Sequence, residues 1–427
     1  GQIITSTTDN TSVTYDDRVP FISSMTINSD NINSSSENFN KLAMPGDNIT
    51  VSFITTESLG NLIMELTNEI VSPTLSGDNY TITKKMLQSD TTKAFNLCAN
   101  RITGCQIPFQ INAKDLAGNE TILNQDNTTN NSTVKFDGIK PVLTSVKFKS
   151  NGCNVFGAKT GDNATLTVSS NEPIFSDLSS LNKTKVFLDN GSDNLSVTNL
   201  IEYSGTNGDL VSNDEFSVSY KFENGHEQGL IGFYINYVDP AGNANLWTYQ
   251  NNNTTDGSNI TFDSIEPDLD NITIYSNNLY TAYAKSSDTI YIEFDSNEKL
   301  MHDNDVGLTV SSTCHSPLIS RNYCSSGLCQ DNSTNSTLLD NSNQRLKWKD
   351  TRSYTSSNRT TQAGDNVSFR IIYYDWVGNR GVDVTTTTDN KSVVYDDVIP
   401  TIQYVNIKSN NQNNPNKYAI VDDNVTL

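Results

Sequence analysis

Few residues of this chain have the type and spacing that catalysis requires. Among 427 residues there are only three histidines, His226, His302 and His315. The His-Glu-x-x-His, Gly-x-Ser-x-Gly and Gly-x-Gly-x-x-Gly patterns, which mark metalloprotease, hydrolase and dinucleotide sites, do not occur. There are 49 Asp and Glu residues, but no spacing singles out an acid–base pair. The sequence therefore predicts that the chain is not an enzyme and carries no cofactor.

The six cysteines predict disulfide bonds in an oxidising compartment. Cys98 and Cys105 are close in sequence and are the predicted pair. Three more fall in one variable segment, where two of them are expected to pair: Cys314, Cys324 and Cys329. Cys153 has no partner in its own repeat, so it is either free or bonded across domains or chains. A zinc site that uses these cysteines and His315 is the minor alternative.

The acidic composition limits the class of partner. The net charge is −21, which disfavours nucleic acids and anionic membrane surfaces. No run of about 18 apolar residues is present, so this segment is not expected to enter a membrane. The sequence fixes no metal-binding set. Calcium at the domain junctions, on the acidic pairs Asp16-Asp17 and Asp396-Asp397, is a minor alternative to solvated acidic turns, and the single Asp of the intermediate junctions, Asp137 or Asp263, counts against it.

A repeat organises the whole chain. An aromatic residue, Asp, three residues and Pro recur at four places: Tyr15 to Pro20, Phe136 to Pro141, Phe262 to Pro267 and Tyr395 to Pro400. Successive prolines of these segments are 121, 126 and 133 residues apart. Self-similarity at a fixed period indicates a repeated structural unit.

Two further anchors recur inside each unit. Gly46-Asp47-Asn48 and its relatives begin a run with apolar residues at every second position, such as Ile49, Val51 and Phe53. Asp-x-x-Gly-Asn follows another alternating run, at Asp115, Asp239 and Asp375. Alternation with period two predicts strands with one buried face. Because Asp bonds its own turn and Gly adopts positive φ, Asp-x-x-Gly-Asn predicts a hairpin tip first and a ligand site only second.

These residues resemble a tandem array of bacterial-type immunoglobulin-like domains. In that family the Asp-x-x-x-Pro linker, the Gly-Asp-x strand, an Asn-Glu or Thr-Glu step and the Asp-x-Ala-Gly-Asn hairpin occur in this order. The step here is Thr56-Glu57, Asn171-Glu172 and Asn297-Glu298. The resemblance implies an all-β chain of antiparallel sandwiches arranged as a linear rod. The expected domains are 16–136, 137–262 and 263–395, flanked by a terminal strand of a preceding domain (1–15) and the first strands of a following one (396–427).

The two ends of the chain predict pairing beyond one repeat. Residues 1–20 align without gaps on residues 381–400, with 12 identical positions. Residues 1–15 are therefore expected to pair as a final sandwich strand, beside the hairpin of a preceding unit. Either a continuing chain or a neighbouring molecule completes the partial domains, so self-association into a linear polymer, or a very long chain, is the expected interaction.

Asn-x-Ser/Thr sequons occur along the whole chain and point to the secretory route and an extracellular location. Eight of them repeat at strand starts or before the linker strand: Asn10, Asn48, Asn131, Asn163, Asn259, Asn366, Asn390 and Asn424. The alternative is that Asn, Ser and Thr are simply common turn residues here. The sequence thus favours a structural segment of an N-glycosylated fibre or stalk. The alternative function is a surface adhesin that binds a glycan or protein through variable inserts such as residues 311–350.

The repeated sequons give a direct test. Asn48, Asn163 and Asn366 are expected to carry N-linked sugar in native material, because each lies at a polar strand start. Glycopeptide mass spectrometry checks this expectation. Unmodified peptides at all three sites would remove the main argument for a secreted glycoprotein.

Overall fold

The computed structural model describes the following residues: 5–32, 41–93, 104–174, 185–189, 215–248, 254–308, 314–320, 323–325, 328–330, 333–335, 337–339, 346–353 and 364–427. They form two compact units, residues 1–264 and residues 265–427. Within the described part, no helix has the length and apolar character needed to cross a membrane.

The first unit begins with a sandwich of two sheets, called sandwich 1. One sheet has the order β1-β3-β7-β6 and the other β10-β9-β4-β5, which corresponds to the ABED and CFG sheets of an immunoglobulin fold. A small third sheet pairs β11 with β2 in parallel and with β8 antiparallel. The elements are β1 Ile22–Ser29, β2 Leu42–Ala43, β3 Asn48–Thr55, β4 Leu59–Leu66, β5 Glu69–Ile70, β6 Thr74–Ser76, β7 Asn79–Lys85, α1 Asp90–Lys93, β8 Cys105–Gln106, β9 Phe109–Asp115, β10 Glu120–Asn124, a 3₁₀ turn Gln125–Asn127 and β11 Lys135–Phe136.

The second sandwich of this unit, sandwich 2, repeats the same pairing. One sheet has the order β12-β14-β16, and the other joins β13, β19, β17 and β15, with β18 beside β17. Its strands are β12 Leu143–Ser150, β13 Gly157–Ala158, β14 Asn163–Ser170, β15 Lys185–Asp189, β16 Glu215–Lys221, β17 Gly229–Val238, β18 Ala244–Thr248 and β19 Ile260–Phe262.

The second unit contains sandwich 3 and a short hairpin. Sheet β20-β22-β28-β27 corresponds to the first sheet of the other sandwiches, and smaller sheets pair β21-β31-β29, β26-β23-β30 and β24-β25. The strands are β20 Leu269–Ser276, β21 Tyr283–Ala284, β22 Thr289–Ser296, β23 Leu318–Ser320, β24 Tyr323–Ser325, β25 Leu328–Gln330, β26 Ser333–Asn335, β27 Thr337–Leu338, β28 Lys347–Ser353, β29 Asp365–Asn366, β30 Arg370–Ile372 and β31 Val394–Tyr395; the hairpin pairs β32 Lys408–Ser409 with β33 Val425–Thr426.

Each sandwich has its own hydrophobic core, built by the alternating runs. In β3, Ile49, Val51 and Phe53 are each at most 1% exposed, while their neighbours Thr50 and Ser52 face outwards. The matching positions of β14 and β22 are buried in the same way. The runs that lead into the three hairpin tips are buried at every second residue too. The prediction of all-β, immunoglobulin-like tandem sandwiches is therefore confirmed.

A short turn precedes the last strand of each sandwich, and it explains several of the repeated asparagines. Its backbone enters the left-handed region at Asn10, Asn131 and Asn390, with φ of 57°, 56° and 56°. Sandwich 2 has Gly257 there, with φ of 73°. Asn and Gly are the residues that tolerate this conformation, so the turn itself selects them. Asn259 lies two residues beyond Gly257 and is not structurally equivalent to the other three.

The same turn fastens the last strand to the first. In sandwich 1 the amide of Thr129 donates to the carbonyl of Met25 at 2.9 Å, and the matching pairs in the other sandwiches are Thr255 to Val146 and Thr388 to Ile272. At the start of the chain, the Thr7 hydroxyl donates to the carbonyl of Thr11 at 2.7 Å, as the Thr128 hydroxyl does to the carbonyl of Ser132 in the turn of sandwich 1. Residues 5–19 are exposed in this single chain, and their pairing with a neighbouring sandwich stays a prediction.

Candidate metal centre at the domain junctions

Three carboxylates from distant parts of the repeat meet at the linker in sandwiches 1 and 2. In sandwich 1 they belong to Asp16 of the linker, Glu57 of the Thr-Glu step and Asp115 of the hairpin tip. Each offers one carboxylate oxygen, and these oxygens all lie within 4.8 Å of one another. The same three positions of sandwich 2 form a second cluster, called the junction cluster: Asp137, Glu172 and Asp239.

The hairpin tip fixes its aspartate by hydrogen bonds within the turn. In sandwich 2, Oδ1 of Asp239 accepts from the amides of Gly242 and Asn243, at 2.8 and 2.9 Å. Its Oδ2 accepts from the Asn243 side chain at 2.8 Å. Gly242 has φ of 102°, which closes the turn in a conformation that a side chain disfavours. The predicted hairpin tip is therefore present, and it holds the carboxylate in one orientation.

The last residue of the tip also binds the linker. Nδ2 of Asn243 donates to the carbonyl of Asp137 at 3.1 Å, and Nδ2 of Asn119 donates to the carbonyl of Asp16 at 3.0 Å. Two residues further on, the side chain of Asn245 donates from Nδ2 to the carbonyl of the linker proline, Pro141. These bonds bring the linker aspartate beside the hairpin aspartate in both sandwiches.

The glutamate is placed by a hydroxyl two residues before it. The Thr55 hydroxyl donates to the carbonyl of Glu57 at 2.7 Å, and the Ser170 hydroxyl donates to the carbonyl of Glu172. The strand that precedes this step pairs with β1 or β12, whose register shifts near the linker. The step therefore ends at the linker, and its glutamate joins the two aspartates.

Sandwich 3 builds the corresponding glutamate and hairpin aspartate in the same way. The Ser296 hydroxyl donates to the carbonyl of Glu298 at 2.7 Å. Oδ1 of Asp375 accepts from the amides of Gly378 and Asn379, at 2.7 and 2.8 Å. In the sequence, the residue equivalent to Asp16 and Asp137 is Asp263, which belongs to the first unit.

The two clusters of the first unit differ in burial, and therefore in the pKa of their aspartates. Asp137, Glu172 and Asp239 are at most 4% exposed, whereas Asp16 is exposed to solvent. Burial raises the pKa of Asp137 to about 7, and the charge of Asp239 adds to the effect. Burial raises the pKa of Asp239 too, despite its hydrogen bonds. In sandwich 1, burial acts in the same direction on Asp115, but the bonds from Asn119 and Gly118 outweigh it, and the pKa of Asp115 lies below its usual range.

This arrangement suits a hard divalent cation. All three ligands are carboxylate oxygens, which Ca²⁺ and Mg²⁺ prefer over nitrogen or sulfur. Three buried carboxylates in contact repel one another strongly, and a bound cation would remove that repulsion. A linker with a single Asp gains its other two carboxylates from distant parts of the repeat, which the composition of the linker does not reveal. In the sequence the Glu of the step and the Asp of the hairpin are strand and turn signals, and only the fold brings them to the linker.

The predicted glycosylation sites lie on the surface. None of the eight asparagines is buried. Asn48 and Asn163 begin β3 and β14, but the corresponding position of sandwich 3 is Thr289, because Asn366 lies in β29 of another sheet. Nδ2 of Asn48 donates to Asp30 at 2.7 Å. An amide nitrogen that carries a sugar keeps one hydrogen, so this bond and a glycan are compatible.

Three of the six cysteines are oxidised in the structure. Cys105, Cys153 and Cys314 each form a disulfide bond. Cys153 is therefore not free, and the sulfur of Cys314 is not a thiolate that binds zinc. His315 is buried, and its Nδ1 bonds the carbonyl of Ser316 at 2.6 Å. Cys98 lies outside the described residues, as does much of the variable insert 311–350, so the Cys98–Cys105 pair and the adhesin alternative stay predictions.

The raised pKa of Asp137 gives a prediction for the metal-free protein. The folded state holds this proton more tightly than the unfolded state, whose pKa is near 3.8. Stability should therefore fall as pH rises from about 4 to about 7, by an amount on the order of a few kcal/mol. In chelator, Asp137→Asn should remove most of this slope and be more stable than the wild type at pH 8. Urea unfolding at pH 5 and pH 8 measures it.

Asp16→Asn is the matched control, because Asp16 occupies the same position in the cluster of sandwich 1 and is itself exposed. It should leave the pH dependence unchanged. Equal slopes for the wild type and Asp137→Asn would show that the junction cluster is not electrostatically strained.

Comparison with known proteins finds distant structural similarities. A structure from a 1.5-MDa bacterial ice-binding adhesin aligns with 90% of this chain and 100% of its own, at a TM-score of 0.37 and 12% identity. The I9–I11 tandem of titin covers 84% of this chain and 96% of its own, with a TM-score of 0.28 and 9% identity. A tetra-tandem repeat from the extending region of a large adhesion protein covers 86% and 74%, with a TM-score of 0.26 and 13% identity. No family model and no curated protein matches the chain. With all three TM-scores below 0.5, the fold assignment rests on the sheets and cores described above.

Proposed function

We propose that the chain is a structural segment of an extracellular stalk or fibre, in which sandwiches joined end to end hold a surface element away from its base. The observation that carries this proposal is the linker between sandwiches 1 and 2. The amide of Asp137 donates to the carbonyl of Ala43 in sandwich 1 at 2.8 Å, and the carbonyl of Asp137 accepts from Asn243 in sandwich 2 at 3.1 Å.

A linker bonded on both sides transmits force instead of stretching freely. One residue is held by two sandwiches, so a pull on one core passes directly to the next. The following linker starts in the same way, since the amide of Asp263 donates to the carbonyl of Ala158 at 2.9 Å. A flexible tether would instead be rich in Gly and Ser and free of such bonds. The repeated attachment therefore supports a load-bearing spacer that forms a linear rod.

The surface chemistry supports an extracellular location. The eight repeated sequon asparagines are accessible, and three of the cysteines are disulfide-bonded, as the secretory route would produce: Cys105, Cys153 and Cys314. N-linked glycans would hydrate the rod, hinder edge-to-edge pairing of its strands and protect it from proteases. The net charge of −21 adds repulsion between rods that are not joined end to end. Self-association into a linear polymer is part of this proposal.

We propose further that the junction cluster and the equivalent cluster of sandwich 1 each bind Ca²⁺ as a structural ion. The junction cluster consists of buried carboxylates on the linker, the step and the hairpin tip, so one ion would tie these three elements together. The tie would stiffen the joint, because a linker held by an ion in addition to hydrogen bonds has fewer accessible orientations. Backbone carbonyls and water would supply the remaining ligands that Ca²⁺ requires.

The stalk proposal is tested by imaging native material. Negative-stain electron microscopy should show long particles of uniform width, because sandwiches of one size repeat along the chain. A short, discrete particle with one atypical tip domain would contradict the stalk and favour the adhesin alternative.

Calcium binding is tested on the full chain by calorimetry and thermal unfolding. Ca²⁺ should bind and raise the unfolding temperature, and a concentration 100-fold above Kd should stabilise the folded state by about 2.7 kcal/mol per coupled site. Glu172→Gln should weaken binding at the junction cluster, because it removes a buried charged ligand. Glu65→Gln, which changes the same side chain on a strand away from the linker, is the control. Absence of heat and of any thermal shift in the wild type would contradict the ion proposal and leave the stalk proposal standing.

A further inference from the structure

The joint between sandwiches 1 and 2 contains a side chain that leaves one sandwich and bonds the other. Asn31 follows the first strand of sandwich 1 and is fully buried. Its Nδ2 donates to the carbonyl of Ala241 at 2.8 Å, in the hairpin tip of sandwich 2. A buried hydrogen bond to a backbone carbonyl fixes both distance and direction, and its loss leaves that carbonyl without this donor.

A second side chain of sandwich 1 bonds the linker. Nε2 of Gln88 donates to the carbonyl of Gly138 at 2.8 Å. Gln88 lies in the turn after β7, and Asp90 fixes that turn by accepting from the amide of Leu87 at 2.8 Å. Asp90 itself is 2% exposed. The turn is therefore a stable platform from which Gln88 reaches the linker.

The linker residue is a glycine because the two sandwiches approach closely at this point. A Cβ at Gly138 would lie 2.2 Å from the hydroxyl oxygen of Thr91, in the same turn as Gln88. The other linkers carry a side chain at this position: Asp17, Ser264 and Asp397. The close approach is thus a property of the joint between sandwiches 1 and 2, encoded at one position of its linker.

The glutamine contact recurs one repeat later, and the asparagine contact does not. Nε2 of Gln228 donates to the hydroxyl of Ser264 at 2.8 Å, and the amide of Ser264 donates back to Oε1 at 2.9 Å. By contrast Asn278, which occupies the position of Asn31 in sandwich 3, donates to Asp288 of its own sandwich at 2.7 Å. Asn31 therefore makes an interdomain contact where its counterpart makes an internal one.

We propose that Asn31, Gln88 and Gly138 form a latch that fixes the orientation of sandwich 2 on sandwich 1, so that the two move as one body. Domains joined by a short linker normally move relative to each other unless their interface prevents it. The latch consists of neutral groups, and none of its atoms belongs to the junction cluster. Through Gly138 and Ala241 it also brings sandwich 1 over that cluster, which accounts for the burial of Asp137 compared with the exposed Asp16.

Pulsed electron paramagnetic resonance on the full chain tests the latch. Spin labels are introduced as non-natural residues at Thr83 and Ser219, which are exposed on the two sandwiches, and the disulfides stay intact. Measurements are made in chelator, so that a cation does not contribute. The wild type should give one narrow distance distribution, and the double variant Asn31→Ala/Gln88→Ala should give a broader one.

Asn278→Ala is the matched control, because it removes the same amide from a contact inside sandwich 3. It should leave the distribution narrow. Gly138→Ser is an independent variant that opens the joint by displacing Thr91 and changes neither core, so it decides the outcome if the double variant does not fold. A broad distribution in the wild type, or a narrow one in a folded double variant and in Gly138→Ser, would overturn the latch.

Discussion

The structure depends on one polar contact that is repeated at the base of each sandwich, the bond between the Asn and the Asp of the hairpin tip. In sandwich 2 the side chain of Asn243 joins the carboxylate of Asp239 to the linker carbonyl of Asp137, at 2.8 and 3.1 Å. This single amide closes the hairpin, attaches the linker and sets two of the three carboxylates side by side. If an apolar residue replaced Asn243, Oδ2 of Asp239 and the carbonyl of Asp137 would each lose this side-chain donor. The loss is costly because the site has a low dielectric.

The same contact has different electrostatic consequences in the two sandwiches of the first unit. The hydrogen bonds that Asp115 and Asp239 accept have nearly the same lengths. Yet the pKa of Asp115 lies below its usual range and that of Asp239 lies above it, because all three carboxylates of the second cluster are buried, whereas Asp16 of the first cluster is exposed. The ionised form of such a carboxylate cluster becomes unfavourable when a neighbouring domain excludes water from it. The latch and the proposed ion site are linked by this burial, although they use different atoms.

Asparagine has at least two roles in this chain, which composition alone cannot separate. At Asn131 the left-handed backbone selects Asn or Gly, as Gly257 in the matching turn shows. At Asn48 the side chain bonds Asp30 at the start of a strand. Both positions are also sequons, so the structural requirement and the glycosylation motif coincide on the same residues. Part of the sequon density therefore comes from turn chemistry.

The sequence by itself determined what is local. The strand faces follow from alternation, as in Ile49, Val51 and Phe53, and the hairpin tips follow from Asp and Gly at fixed spacing, since these signals lie within a few residues of one another. The tertiary structure decided what depends on contacts between distant residues. Glu172 joins Asp137 and Asp239 only because three loops end at one linker, and Asn31 bonds Ala241 across 210 positions. The junction cluster is buried, and Asn31 reaches the next sandwich, because of the way two folded domains meet. The periodicity of the sequence does not encode that geometry.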